Sequence, residues 1–131
     1  MGMHRLLRVA ALWLPPLVLM AVIFALSAMP GDDVDHGLLW FIARKLAHFL
    51  EFALLVGLWW RALRTRLPLR RAVATAFAIS VAYAISDELH QLTVNDRTGT
   101  PRDVLIDTAG AATAAALILR SRIRAPRQKA R

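Results

Sequence analysis

A chain of 131 residues with 57% hydrophobic residues and a mean hydropathy of +0.46 is too apolar for an ordinary soluble domain and too short for two domains. Its formal net charge of +8 would suggest nucleic acid in a soluble protein, but the basic residues flank apolar stretches and therefore suit anionic lipid head groups instead. Cysteine is absent, which excludes a disulfide framework and a Cys-ligated metal.

Four apolar stretches follow in chain order: Val9–Met29, Leu46–Ala62, Ala72–Ile85 and Val104–Leu119. His4, Arg5 and Arg8 precede the first, and Pro30-Gly31 stops it. Its end, Ala25-Leu26-Ser27-Ala28, satisfies a small-x-small cleavage rule, yet the run is long enough to cross a bilayer and is expected to be retained. Pro15-Pro16 removes two amide donors and predicts a kink, tolerable where neighbours satisfy the freed carbonyls. An acidic loop with Asp32, Asp33 and Asp35 leads to the second stretch, whose approach starts from about Leu38. Trp40-Phe41 at one end and Trp13 and Trp59-Trp60 at the other fit two interfacial aromatic belts. The third stretch reaches spanning length only if its helix continues through Ser86, Asp87, Glu88, His90 and Gln91. The fourth starts at Asp103 after Pro101, a helix-start pattern, and places Gly110 and Ala114 four apart, a spacing that allows close helix packing in lipid.

Charge orients these stretches. Of the 17 basic residues, only Arg44, Lys45, Arg97 and Arg102 share a side with the 9 carboxylates. The rest lie at the N-terminus, in the 61–71 loop and in the tail from Arg120. Cytoplasmic segments collect Lys and Arg, so both termini and the middle loop are expected inside. The expected architecture is all-α: four transmembrane helices in one compact bundle, N-in and C-in, in the inner (plasma) membrane. One domain, 1–131, has its core at about 9–119 and a basic tail at 120–131.

This topology brings unusual polar residues to one depth. Lys45, His48 and Glu51 recur every three residues and share an arc of roughly 120° on the second helix. Asp87, His90 and Gln91 share a face of the third, with Glu88 to one side, and Asp103 and Asp107 lie four apart on the fourth. Ser27 ends the first. A charged group in the bilayer centre costs about 2.5–3.5 kcal/mol on insertion scales, so such groups face inward, pair and mark function. The bland alternatives are snorkelling side chains and a structural polar clamp. Interhelical hydrogen bonds in lipid average only about 0.6 kcal/mol, a weak reason to keep so many charges.

The runs Lys45-Leu46-Ala47-His48-Phe49-Leu50-Glu51-Phe52 and Tyr83-Ala84-Ile85-Ser86-Asp87-Glu88-Leu89-His90-Gln91, followed by Arg97-Thr98-Gly99 and Arg102-Asp103-Val104-Leu105-Ile106-Asp107-Thr108-Ala109-Gly110, resemble the VanZ-like family of small bacterial membrane proteins. The likeness extends from about Ser27 to Ala116. It implies a membrane protein of the cell envelope, from a family named for a protein associated with glycopeptide (teicoplanin) resistance. It also suggests a place among enzymes acting on lipid head groups or lipid carriers, without settling the reaction. Asn95-Asp96 stands where the family often has Pro-Gly, a departure that bears on the shape of the outer loop.

Chemically, Lys45, Arg97 and Arg102 suit a phosphate, with Arg as a planar fork and Lys as a point charge. His48 or His90 suits a general base held by Glu51 or Asp87. The leading expectation is a lipid head-group hydrolase or transferase acting on phospholipids or polyprenyl-linked cell-wall precursors. Its catalytic candidates are His48, Glu51, Asp87 and His90. Ser27, Lys45, Glu88, Gln91, Arg97, Arg102, Asp103 and Asp107 are the binding candidates. No cofactor is required, but the same four catalytic candidates could ligate Zn²⁺ or Mn²⁺, since i,i+3 pairs put two ligands on one helix face. Two alternatives stay open: a proton-coupled transporter, and a non-catalytic protein that binds lipid or glycopeptide. The expected partners are membrane lipids rather than nucleic acid, and the oligomeric state is open. The topology has a direct test. With single cysteines replacing Asp33, Thr65, Thr98 and Gln128 in turn, an impermeant thiol reagent outside intact cells should label positions 33 and 98 only. Labelling at 65 or 128 would overturn the orientation.

Overall fold

The computed structural model describes residues 2–30, 36–95, 97 and 99–124. Four helices account for almost all of them: α1 (Met3–Ser27), α2 (Gly37–Leu63), α3 (Leu69–Gln91) and α4 (Pro101–Arg124). At 1.5 Å per residue, helices of 23 to 27 residues run roughly 35–40 Å, enough to cross a hydrocarbon core of about 30 Å. α1, α3 and α4 are each long and apolar enough to do so. The chain is a multi-pass helical membrane protein. The expected helix stop at Gly31, the acidic residues Asp32, Asp33, Asp35 and Asp96, and the tail from Ala125 lie outside the described residues.

The apolar stretches underestimate the helices. α2 starts at Gly37, well before Leu46, and α3 continues as helix through Asp87, Glu88, His90 and Gln91. Polar residues satisfy their backbone groups within the helix as well as apolar ones do, so hydropathy marks the lipid-compatible part and not the ends.

α2 is the centre of the bundle. Phe52, Leu55, Val56, Trp59 and Ala62 are its buried stripe, packed with Ile23 of α1, Ala76 and Ala84 of α3 and Ala111 of α4. α2 packs most extensively on α4; α4 and α2 both pack on α3. α1 lies against α2 and lightly on α3, with no close backbone approach to α4 among the described residues. Trp13 of α1 meets Trp59 edge to face, centroids 6.1 Å apart, and the Tyr83 hydroxyl donates to the Met20 carbonyl. Large apolar side chains such as Leu14, Leu17, Val18 and Val22 remain on the outside of α1, as lipid contact requires.

Helix α1 runs unbroken through Pro15 and Pro16. Pro15 has no N–H for the carbonyl of Ala11, four residues earlier. That carbonyl instead accepts a hydrogen bond from Nη2 of Arg61 on α2 at 2.6 Å. A cation at the end of one helix thus replaces the donor that the proline deletes in another. Arg61→Ala is expected to lower the stability of the purified protein by about 1 kcal/mol, since the bond is charge-assisted but exposed. Pro15→Ala in the same background should restore part of the loss, because it returns the missing N–H. Thermal melts of the two single variants and the double variant check this, and purely additive losses would refute the pairing.

Candidate functional site

The last turns of α1 and α3 meet the first half of α2 and of α4 at one end of the bundle. Three groups of side chains assemble there.

The first group is fully buried. Asp87, 2% exposed, accepts hydrogen bonds on Oδ2 from the Ser27 hydroxyl at 2.8 Å and from Gln91 Nε2 at 3.0 Å. Gln91 Nε2 also lies 3.4 Å from Ser27 Oγ. Asp87 and Gln91 are one turn apart on α3, so they share a face, and Ser27 reaches them from the end of α1. The other oxygen of Asp87 has no hydrogen-bond partner among the described residues.

The second group forms where α4 starts. Thr100 caps the helix: its hydroxyl oxygen accepts the N–H of Asp103 at 3.3 Å, and its hydroxyl also lies 3.1 Å from Asp103 Oδ2. Pro101 follows at the first helical position, where its missing N–H costs nothing. Asp103 forms an ion pair with Lys45 of α2. The N–H of Thr100 donates to Glu88 Oε2 at 2.9 Å, which ties this cap to the end of α3. Gly99 allows it, because a Cβ there would lie 2.6 Å from the Glu88 carbonyl oxygen.

The third group joins α2 to α4. His48 Nδ1 stands 3.5 Å from Oδ1 of Asp107, whose side chain is wholly buried. That separation is long for a hydrogen bond, and neither Asp107 oxygen makes one among the described residues. It is short enough for strong attraction whenever the imidazole is protonated. Glu51 and Asp87 also lie within electrostatic range of His48. Both contacts across α2 and α4 depend on Gly110. A Cβ on it would lie 2.8 Å from the Phe49 carbonyl carbon and closer still to the oxygen, so the two backbones touch at this point.

Ser27, Lys45, His48, Glu51, Asp87, Glu88, Gln91, Asp103 and Asp107 therefore gather at one end. Three other candidates point elsewhere. His90 stacks on Phe24 of α1, centroids 4.3 Å apart and planes at 20°. Arg97 donates from Nε to the Met29 carbonyl at 3.0 Å and from Nη2 to the Leu26 carbonyl at 3.1 Å, closing the C-terminus of α1. Burial, then the nearby Arg44 charge, pull this guanidinium below its ordinary value, but it stays protonated. Arg102 is exposed.

The pairings also differ from those expected of one-helix spacing. His48 Nδ1 faces Asp107 rather than Glu51; Asp87 is held by Ser27 and Gln91 and not by His90. Side chains three apart on a helix share a face, but each reaches across to the neighbouring helix. For the same reason His48, Glu51, Asp87 and His90 do not converge: among the described residues no three His, Asp or Glu side chains form a group that could hold a metal. Thr100 and Phe24 were missed. Thr100-Pro101-Arg102-Asp103 carries a legible capping pattern; nothing in the sequence pairs Phe24 with His90.

Beside this cluster lies an apolar groove of about 430 Å³ between α3 and α4, lined by Ile85, Leu89, Leu92, Val104 and Leu105, with Glu88 and Thr100 on its wall.

Fold and site define a multi-pass helical membrane protein in which buried carboxylates meet a half-buried His and Lys at one end of the bundle. A family model described as VanZ/LLP1 matches residues 12–123, from the first half of α1 to the last turn of α4, and the chain belongs to this family. Comparison with curated proteins and with solved structures gave no match.

Gly110→Ala tests the site's foundation. The added methyl must push α2 from α4, moving His48 off Asp107. A loss of about 1–3 kcal/mol is expected, the usual range for overpacking. A thermal melt in detergent that matches the parent protein would mean the helices do not touch at this point.

Proposed function

We propose that the protein acts on a phosphate-bearing lipid head group at the outer face of the plasma membrane. The observation that carries this reading is the juxtaposition of three things at one end of the bundle: the His48–Asp107 pair, the Lys45 ammonium, and the apolar groove between α3 and α4. The groove suits an acyl or polyprenyl chain. Lys45, already drawn inward by Asp103, suits a phosphate oxygen. Nδ1 of His48 faces Asp107, which leaves Nε2 as the lone pair for general-base work. In this reading Nε2 takes the proton of a water or an acceptor hydroxyl as its oxygen attacks phosphorus. The resulting imidazolium, stabilised by Asp107, protonates the departing alkoxide.

The placement in the membrane belongs to the same proposal. All four helices cross, with both termini inside. Arg5, Arg8, Arg61, Arg64, Arg70, Arg71, Arg120 and Arg122 lie at the end opposite the cluster, which supports that orientation. The cluster then sits at outer head-group depth, where phospholipids and lipid-linked cell-wall precursors are both within reach. A precursor of that kind as substrate would connect the chemistry to the glycopeptide resistance associated with the family's name.

His48→Gln and Asp107→Asn are expected to lower turnover of a phosphorus-containing lipid by about 10²-fold or more, the range for losing general-base catalysis. Lys45→Ala should weaken binding of the same lipid and leave an uncharged glycerolipid unaffected. Lipid extracts from cells with the parent protein and with each variant, compared by mass spectrometry, supply the readout. An unchanged lipid profile on expression of the active protein would favour a non-catalytic binding protein.

A further inference from the structure

We propose that the opposite, basic end of the bundle carries a separate site for the phosphate of an anionic membrane phospholipid, built by Arg64, Arg122 and Trp60. The inference needs the helices to sit in a bilayer, but not the chemistry proposed for the other end.

The geometry is specific. Arg64 lies one residue beyond α2, and Arg122 lies in the last turn of α4. Their guanidinium carbons stand 5.0 and 5.1 Å from the centroid of the same indole, that of Trp60, both within cation–π range. Two positive charges are thus gathered at one ring. Among the described residues no side-chain carboxylate balances them locally. The sequence has no Asp or Glu between Glu51 and Asp87, and none after Asp107. Both arginines line one cavity, so an anion seated there meets two positive charges that the ring leaves without a counter-charge.

The surroundings favour the same ligand. Trp60, Arg64 and Arg122 share with Leu67 and Leu69 a cavity of about 300 Å³. Leu69 is the first residue of α3, which has no side-chain cap and no acidic residue in its first turn. Its first N–H groups therefore remain available to an anion. Leu67 and Leu69 add an apolar wall suited to the glycerol and the first methylenes of a lipid. A free phosphate would use the guanidinium groups and leave that wall wet. The site lies beside Trp59-Trp60, the aromatic pair at this end of the helices, the depth at which phosphodiesters sit.

Diffuse attraction between a basic surface and anionic lipid is the rival account. It counts charges and is indifferent to which arginines supply them. The test uses the full chain purified in detergent, with native mass spectrometry to read bound phosphatidylglycerol against phosphatidylcholine. The parent protein is expected to prefer phosphatidylglycerol by about tenfold, and Arg64→Gln with Arg122→Gln should bring the preference to near unity. Arg66→Gln with Arg124→Gln removes the same charge from the same end and should leave the preference in place. Trp60→Leu should reduce it and Trp60→Phe should largely keep it, because a ring face remains. Equal losses from the two arginine pairs would establish diffuse attraction and overturn the site. Displacement of the lipid by millimolar inorganic phosphate would overturn it as a lipid site. If the double Gln variant fails to fold, Arg64→Lys with Arg122→Lys decides: charge is kept but the planar fork is lost, so an undiminished preference counts against the proposal.

Discussion

The contact of Gly110 with the Phe49 backbone governs the molecule. It sets the separation of α2 and α4, the most extensive interface in the bundle. At one end that interface brings His48 to Asp107 and Lys45 to Asp103; at the other it brings Arg122 to the ring of Trp60. A larger residue at 110 would spread the helices along their whole length, because a helix is stiff and a displacement at its middle reaches both ends. α3 and α1 are added around this pair. α3 contributes the Asp87–Gln91 face, and α1 supplies the Ser27 hydroxyl that completes it.

The two ends solve the problem of charge in opposite ways. At the acidic end, carboxylates outnumber cations, and burial makes each unpaired oxygen costly. Ser27, Gln91, Thr100 and Lys45 answer part of that need. Asp107 and one oxygen of Asp87 stay unanswered among the described residues. A purely structural clamp would have no reason to keep such groups, since interhelical bonds in lipid return little. At the basic end no side-chain carboxylate is present among the described residues, and arginines there rest on aromatic rings and a backbone carbonyl.

Much of this was legible before the structure. Hydropathy gave the helical segments, and spanning length required α3 to include Asp87 and Gln91, as it does. The alternation of charge gave the common end for Ser27, Lys45, His48, Asp87, Asp103 and Asp107. The partners were not legible. Helical periodicity says which residues share a face, but the register between two helices decides which atoms meet, and that register comes from packing at residues such as Gly110 and Ala111. Hence His48 finds Asp107 rather than Glu51, and His90 finds Phe24. Arg97 read as a ligand-binding cation because it lay among acids. Its donors instead take the carbonyls that α1 leaves open at its end, a need that every helix terminus carries and no sequence pattern specifies.

The bond from Arg61 to the Ala11 carbonyl also bears on how the protein is made. Synthesis runs from the N-terminus, so α1 reaches the membrane while Arg61, fifty positions beyond Ala11, is still unmade. Until α2 follows, the Ala11 carbonyl must stay in contact with water or with the insertion machinery, because lipid offers no donor. α1 on its own is therefore an incomplete element until the segment that carries Arg61 is made. Pro15 thereby makes the completion of the first helix depend on a side chain of the second.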